Sequence, residues 1–171
     1  TPLFSSAASD VYKRQSGHST VADPTLSDSG KRKVAWARSR MPALAALRES
    51  AERDLPLKGH RVAGCLHVTK ETAVLIETIS VAGAEISWSG CNPLSTQDDV
   101  AAWLASESYG VHAWHGQSTE DFYKCIDRTL DFKPTLTLDD GADLIYRVHS
   151  TFPELAEGII GGPELHPTRR R

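Results

Sequence analysis

Between His60 and His149 the chain alternates, four times over, a short apolar run with a longer stretch of helical period. Few architectures accept that alternation. Residues 60–66 read as a buried strand after the turn at Lys58-Gly59, and residues 70–82 as a helix with Thr69 placed to cap its start and Gly83 to stop it. Residues 84–88 read as the second strand. Ser95 is positioned to cap a helix over 97–106, with Asp98 in its first turn against the positive end of the helix dipole. Residues 110–114 read as the third strand, followed by a helix over 119–130 with Ser118 as cap and Glu120 and Asp121 in its first turn. Residues 135–138 form the fourth strand, and Gly141 opens a helix that runs to His149. Helical crossovers between short apolar strands imply parallel pairing. The predicted fold class is therefore α/β: an open parallel sheet with helices on both faces, Rossmann-like or flavodoxin-like, with right-handed crossovers. Upstream, Val34, Trp36, Met41, Leu44 and Leu47 mark an apolar stripe interrupted at Pro42, so a helical N-terminal segment precedes the sheet and ends near Pro56.

The flanks read differently. Residues 1–33 are rich in Ser, Thr, Asp, Gly and Pro without sustained period, and are expected to form a disordered or linker-like tail. The run from Phe4 to Gln15 resembles translated sequencing-adapter sequence and is set aside. The expected division is a tail over 1–33, an α/β domain with its leading helices over 34–162, and an aberrant tail over 163–171. A net charge of -3 offers no basic footprint for nucleic acid and no attraction to an anionic membrane. No run approaches the roughly 20 apolar residues that span a bilayer. Cys65, Cys91 and Cys125 are odd in number and widely spaced, which fits neither a disulfide framework nor a zinc motif and points to a reducing, cytoplasmic setting.

In open parallel sheets ligands bind beyond the carboxyl ends of the strands, and there the unusual residues fall. The first strand runs into His67, Thr69, Glu71 and Thr72, the second into Cys91, Ser95 and Gln97, the third into His115, and the fourth into Asp139-Asp140. That mixture of hydroxyl, amide, imidazole and carboxylate suits a ligand with several hydroxyls and a heteroaromatic ring, such as a nucleoside. Each residue also has a plainer reading: Thr69 and Ser95 as helix caps, His67 as a half-buried structural imidazole, Cys91 as a packed thiol, and Trp88, Trp103 and Trp114 as core. Asp139-Asp140 reads equally as a turn with a helix cap or as an acid/base group with a raised pKa.

Longer strings carry a resemblance. The segment from Leu57 to Thr78, the segments Gly83-Ala84-Glu85 and Cys91 to Asp98, Ala113-Trp114-His115-Gly116, Leu138 to Leu144, and Met41-Pro42-Ala43-Leu44 stand in the order in which the adenosylhomocysteinase family carries similar strings, over about Leu26 to Gly162. The chain resembles the N-terminal, substrate-binding portion of S-adenosylhomocysteine hydrolase. The resemblance implies reversible hydrolysis of S-adenosylhomocysteine to adenosine and homocysteine, with NAD oxidising the ribose 3'-hydroxyl before elimination and hydration. It further implies a cytoplasmic homo-oligomer of tetramer type that acts on a small molecule. Carried over residue by residue, Thr69 and Glu71 match contacts to the adenine ring and nearby substrate, with Leu66 and Thr72 beside them. His67 matches a candidate acid/base near the 5' position, and Asp140 a substrate-binding aspartate that takes part in proton transfer. Cys91, Ser95 and Gln97 match pocket-lining positions.

The sequence also departs from the family. Ala142 stands where the family has Gly, and His115 where it has Lys. After Gly162 the chain reads Pro163-Glu164-Leu165-His166-Pro167-Thr168 and three arginines, in place of an acidic, threonine-rich continuation. No Gly-x-Gly-x-x-Gly pattern occurs, so the NAD-binding domain is expected to be missing and the chain inactive alone. Two other readings stand beside the fragment: a free-standing nucleoside-binding module without chemistry, and a partner that assembles with full-length subunits.

Overall fold

The computed structural model describes residues 19–163. Its elements follow the expected alternation. After a 3-10 turn at Pro24–Leu26 come α1 (Ser27–Arg38), α2 (Pro42–Asp54), β1 (Arg61–Cys65), α3 (Lys70–Val81), β2 (Glu85–Ser89), α4 (Asp98–Ser106), β3 (Gly110–His112), α5 (Thr119–Leu130), β4 (Leu136–Asp139) and α6 (Asp143–Thr151), then a second 3-10 turn at Pro153–Gly158. The four strands form one parallel sheet in the order β3-β2-β1-β4. The fold is thus the expected Rossmann-like α/β class with leading helices. β1 lies centrally and its two neighbours continue in opposite directions, which puts the topological switch point between β1 and β4.

Strand alternation sends the two sets of side chains to different layers. Val62, Ile86, Trp88 and Val111 pack with Val34 of α1, Ile76 of α3 and Val100 and Leu104 of α4. Ala63 and Cys65 face the other way, against Phe122, Ile126 and Leu130 of α5 and Leu144 and Val148 of α6. Gly64 is paired with Trp88 across β1 and β2. A Cβ on Gly64 would stand 2.2 Å from the Trp88 ring, so the missing side chain is what lets the indole lie flat across β1.

The helical part starts at Ser27 rather than at Val34, which corrects the expected tail over 1–33. Ser27-Asp28-Ser29-Gly30 is poor helix sequence, but tertiary contact outweighs propensity here. Gly30 meets the Asp99 carbonyl so closely that a Cβ would stand 1.9 Å from it. Ser29 Oγ donates to Asp99 Oδ2 at 2.9 Å, and Lys33 Nζ lies 2.6 Å from the same oxygen. Burial acts to raise the Asp99 carboxyl, but the Lys33 and Ser29 bonds outweigh it and hold the group below its ordinary value. The expectations for residues 1–18 and 164–171 lie outside the described residues.

Both outer strands carry a further backbone partner. Thr20 pairs beside β3, its N–H donating to the Val111 carbonyl at 2.8 Å and its carbonyl accepting from Ala113 N–H at 3.0 Å. On the other side Ile160–Pro163 runs along β4, with Thr137 N–H donating to Gly161 O at 3.1 Å and Asp139 N–H to Pro163 O at 3.2 Å. Among the described residues no helix is long and apolar enough to cross a membrane.

Candidate functional site

At the switch point, the loop leaving β1 faces the loop leaving β4. Asp140 N–H donates to the Cys65 carbonyl at 3.0 Å, and Leu66 N–H to the Ser89 carbonyl at 3.3 Å, so three strand ends are tied at one level. Above them Thr69 caps α3 as expected, its hydroxyl accepting from Thr72 N–H at 3.5 Å. Leu66 is turned into the core and is 6% exposed.

His67 is the centre of the arrangement. Its Nδ1 lies 2.6 Å from Ser95 Oγ, and its Nε2 lies 3.7 Å from Asp140 Oδ2. The Ser95 hydroxyl proton is directed to the Asn92 carbonyl at 3.1 Å. Ser95 thus fixes the orientation of the imidazole through Nδ1 and turns Nε2 toward Asp140. Cys91 completes the group, with its thiol donating to Asp140 Oδ2 at 3.9 Å. Burial, then the Asp140 charge, push the Cys91 thiol up to about 12.

The paired carboxylates divide the two roles between them. Asp139 is fully buried at the end of β4, and its Oδ2 accepts from Ile145 N–H at 2.9 Å, serving the start of α6. Asp140 turns toward His67 instead. Between Asp140 and α6, Ala142 adopts φ 65°, in the left-handed region that favours glycine. An alanine held there costs on the order of 1 kcal/mol. Asp139→Ala removes a buried acceptor and orphans a helix N–H, and is expected to destabilise the fold by about 2 kcal/mol. Urea denaturation of Asp139→Ala beside Asp140→Ala checks this, since the Asp140 variant removes no bond to the helix.

Ser95 is not the cap that the sequence suggests. α4 begins at Asp98 with Gln97 in the capping position and no side-chain bond. The loop gains more from Ser95 as the support of His67, while Gln97 N–H is satisfied by the Val68 carbonyl at 2.9 Å. The Gln97 Oε1 is enclosed without a hydrogen-bond partner, as a ligand-facing amide would be. Asp98, at the first helical position rather than the third, accepts from His115 N–H at 2.8 Å and ties the third strand's loop to the second's.

The structure therefore brings His67, Cys91, Ser95 and Asp140 together and keeps Thr69 and Thr72 on the adjoining helix start. Glu71 stands apart, its carboxylate 2.8 Å from Lys70 Nζ and half exposed. That bond outweighs a smaller effect of burial and holds the Glu71 carboxyl below its ordinary value. Asn92 stands at the end of the second strand in the sequence reading but was not among its site residues. Its carbonyl takes the Ser95 proton, and its Oδ1 accepts from Leu94 N–H at 2.8 Å. An Asx turn before a proline-containing loop is the signal that could have marked it. Three clefts lie elsewhere: one of about 310 Å³ beside Gly83 and Tyr109, one of about 400 Å³ between Arg48 and Thr78, and an apolar one of about 390 Å³ over Leu136 and Leu138. None of them is lined by an imidazole or a thiol, as the switch-point cluster is.

Comparison with known proteins bears on this cluster. The family model for S-adenosyl-L-homocysteine hydrolase matches residues 18–161. An S-inosyl-L-homocysteine hydrolase from Methanopyrus kandleri is 48% identical over 148 residues, covering 86% of this chain and 35% of the relative. An adenosylhomocysteinase from Sulfurisphaera tokodaii is 45% identical over 144 residues, covering 84% of this chain and 34% of the relative. Another from Pyrobaculum aerophilum is 50% identical over 131 residues, covering 77% of this chain and 30% of the relative. The chain thus spans about a third of the length of the curated relatives it matches, and across that span it belongs to the S-adenosyl-L-homocysteine hydrolase family.

Proposed function

We propose that this chain is the nucleoside-holding portion of an adenosylhomocysteinase, whose whole reaction is the reversible hydrolysis of S-adenosyl-L-homocysteine to adenosine and L-homocysteine. The observation that carries the reading is the convergence of His67 and Asp140 at the switch point, with the imidazole oriented by Ser95. In this reading His67 Nε2 takes or returns a proton near the 5' carbon as the thioether leaves or water adds, and Asp140 binds sugar hydroxyls and shares that proton. Thr69, Thr72, Cys91, Ser95 and Gln97 line the nucleoside, with Glu71 at its base end and Leu66 packed behind them in the core. Oligomerisation and a cytoplasmic setting belong to the same reading.

The family implies NAD, but the described residues do not fit a dinucleotide. The first strand-to-helix loop reads Gly64-Cys65-Leu66-His67-Val68-Thr69, with none of the close glycines that admit a pyrophosphate. A buried Leu66 and a bonded His67 fill that approach. No redox step is therefore assigned to these residues, and the chain alone is expected to turn over no S-adenosylhomocysteine.

Relatives of similar identity are named for inosyl and for adenosyl substrates. The choice of adenosine rests on Glu71: an ionised carboxylate only accepts hydrogen bonds, which suits a 6-amino group and repels a 6-oxo group. Calorimetry of this chain with adenosine and with inosine tests the reading. Adenosine is expected to bind more tightly than inosine. Thr69→Ala and Asp140→Ala should each lower the affinity by about tenfold. Binding indifferent to both substitutions would sink the placement of the nucleoside.

A further inference from the structure

The base end of the nucleoside site holds a cation that the functional reading leaves unused. Lys70 Nζ lies 2.8 Å from Glu71 Oε1 and 5.6 Å from the centre of the Trp36 ring on α1. Lys70 is the less exposed partner, at 27% against 50% for Glu71, with its ammonium seated on the indole. The Thr69 hydroxyl also bonds to the Glu71 carboxylate. Hydroxyl, carboxylate, ammonium and indole thus form one continuous row at the start of α3. An ion pair this exposed contributes little to the fold, so stability is a poor account of the arrangement.

We propose that Lys70 is a specificity-determining residue of the base site: beside Glu71 it lets the site accept a 6-oxo purine as well as a 6-amino one. The inference rests on the placement of the base against Glu71 argued above. Adenine presents, side by side, a donating 6-amino group and an accepting ring nitrogen. Hypoxanthine presents an accepting 6-oxo oxygen and a donating ring N–H. A carboxylate only accepts and an ammonium only donates. Glu71 alone therefore suits the amino group and repels the oxo group. With Lys70 beside it, the pair offers one acceptor and one donor, and either edge can be matched. For adenine, Glu71 takes the amino group and Lys70 the ring nitrogen. For hypoxanthine, Lys70 takes the oxo group and Glu71 the ring N–H. The flexible four-carbon stem of the lysine gives the reach for that exchange. Trp36 acts as a positioning residue that keeps the ammonium at the edge of the site. Removing the ammonium costs the 6-oxo base more, because it loses its donor at position 6 and meets the carboxylate there. The 6-amino base keeps its bond to Glu71.

Calorimetry with adenosine and inosine, repeated on variants of this row, provides the test. Lys70→Met is expected to widen the preference for adenosine about tenfold, chiefly through lost inosine affinity. Lys70→Arg keeps donors in the same place and should hold the ratio within about twofold of the wild type. Trp36→Leu should widen the ratio by about threefold. Arg40→Met removes the other cation over the same ring, which lies 5.3 Å from its centre, and should leave the ratio unchanged. Circular dichroism confirms that each variant is folded, and Lys70→Ala serves if Lys70→Met is not. A ratio that stays the same or narrows without the ammonium, or an equal loss of both nucleosides, would overturn the role of Lys70. With adenosine still bound, that result leaves the nucleoside site standing. A wild-type chain that binds neither nucleoside removes the base placement and the role of Lys70 together.

Discussion

Trp88→Ala is expected to destabilise the fold by about 3–5 kcal/mol, a large share of what a domain of this size possesses. The indole is completely buried at the centre of the larger core layer, lying across β1 where Gly64 has no side chain. Truncation removes its packing against both strands and the helices above, and the sheet below is too rigid to close over the space. The cause can be separated from simple loss of an aromatic ring. Trp88 Nε1 has no hydrogen-bond partner, so Trp88→Phe gives up little polar bonding and should cost far less than the alanine change. Gly64→Ala forces a methyl into the ring and should cost about 1–3 kcal/mol in the wild-type background. In the Trp88→Ala background the same methyl enters vacated space and should cost little or even stabilise. Urea unfolding followed by far-ultraviolet circular dichroism measures all four proteins. Strict additivity between the two sites would contradict the contact.

Acid should weaken the fold through His112. This side chain is buried beneath α5 at the end of β3, and burial, then the Arg128 charge, push it down from 6.5 to about 4. The neutral form is consistent with its bonding: Arg128 donates to the Thr20 hydroxyl oxygen, and the Thr20 hydroxyl lies 3.3 Å from His112 Nδ1, an acceptor in that tautomer. Because the folded value lies below the unfolded one, the unfolded chain takes up the proton first. Stability is therefore full above pH 6.5 and falls progressively toward about 4. The loss amounts to about 3 kcal/mol on the order of 1.4 kcal/mol per unit. His112→Gln, which cannot titrate, should remove that part of the pH dependence. Unfolding midpoints for both proteins at about pH 7, 5.5 and 4.5 test it, since the carboxylates titrate alike in the two and cancel in the difference. Parallel curves would show that His112 is not the group responsible.

What sequence alone could reach was local. The strands, the helices and the caps at Thr69 and Ser118 rest on period and on bonds spanning three residues, and the structure has them. The start of α1 was hidden because its stability comes from Asp99 on another helix rather than from Ser27-Asp28-Ser29-Gly30 itself. Ser95 looked like a cap because its alternative partner, His67, is distant in sequence and reached only once two loops meet. Asp139 and Asp140 could not be told apart by composition, since they differ in direction and not in kind. Strand alternation sends one beneath α6 and the turn sends the other to the imidazole. The switch-point cluster was legible as a set of loop ends, and family resemblance named its members, but the Ser95 bond to His67 and the nearness of Cys91 to Asp140 are geometric facts.

An open sheet normally advertises its borders. A bare strand at the side of a sheet is a template for a second molecule, and chains that expose one tend to stack into insoluble ribbons. Here β3 is lined by Thr20 and β4 by Ile160–Pro163, so both templates are already occupied by the chain's own backbone. These two short linings add few bonds to the fold, yet they use up backbone groups of the border strands that a second copy would otherwise pair with.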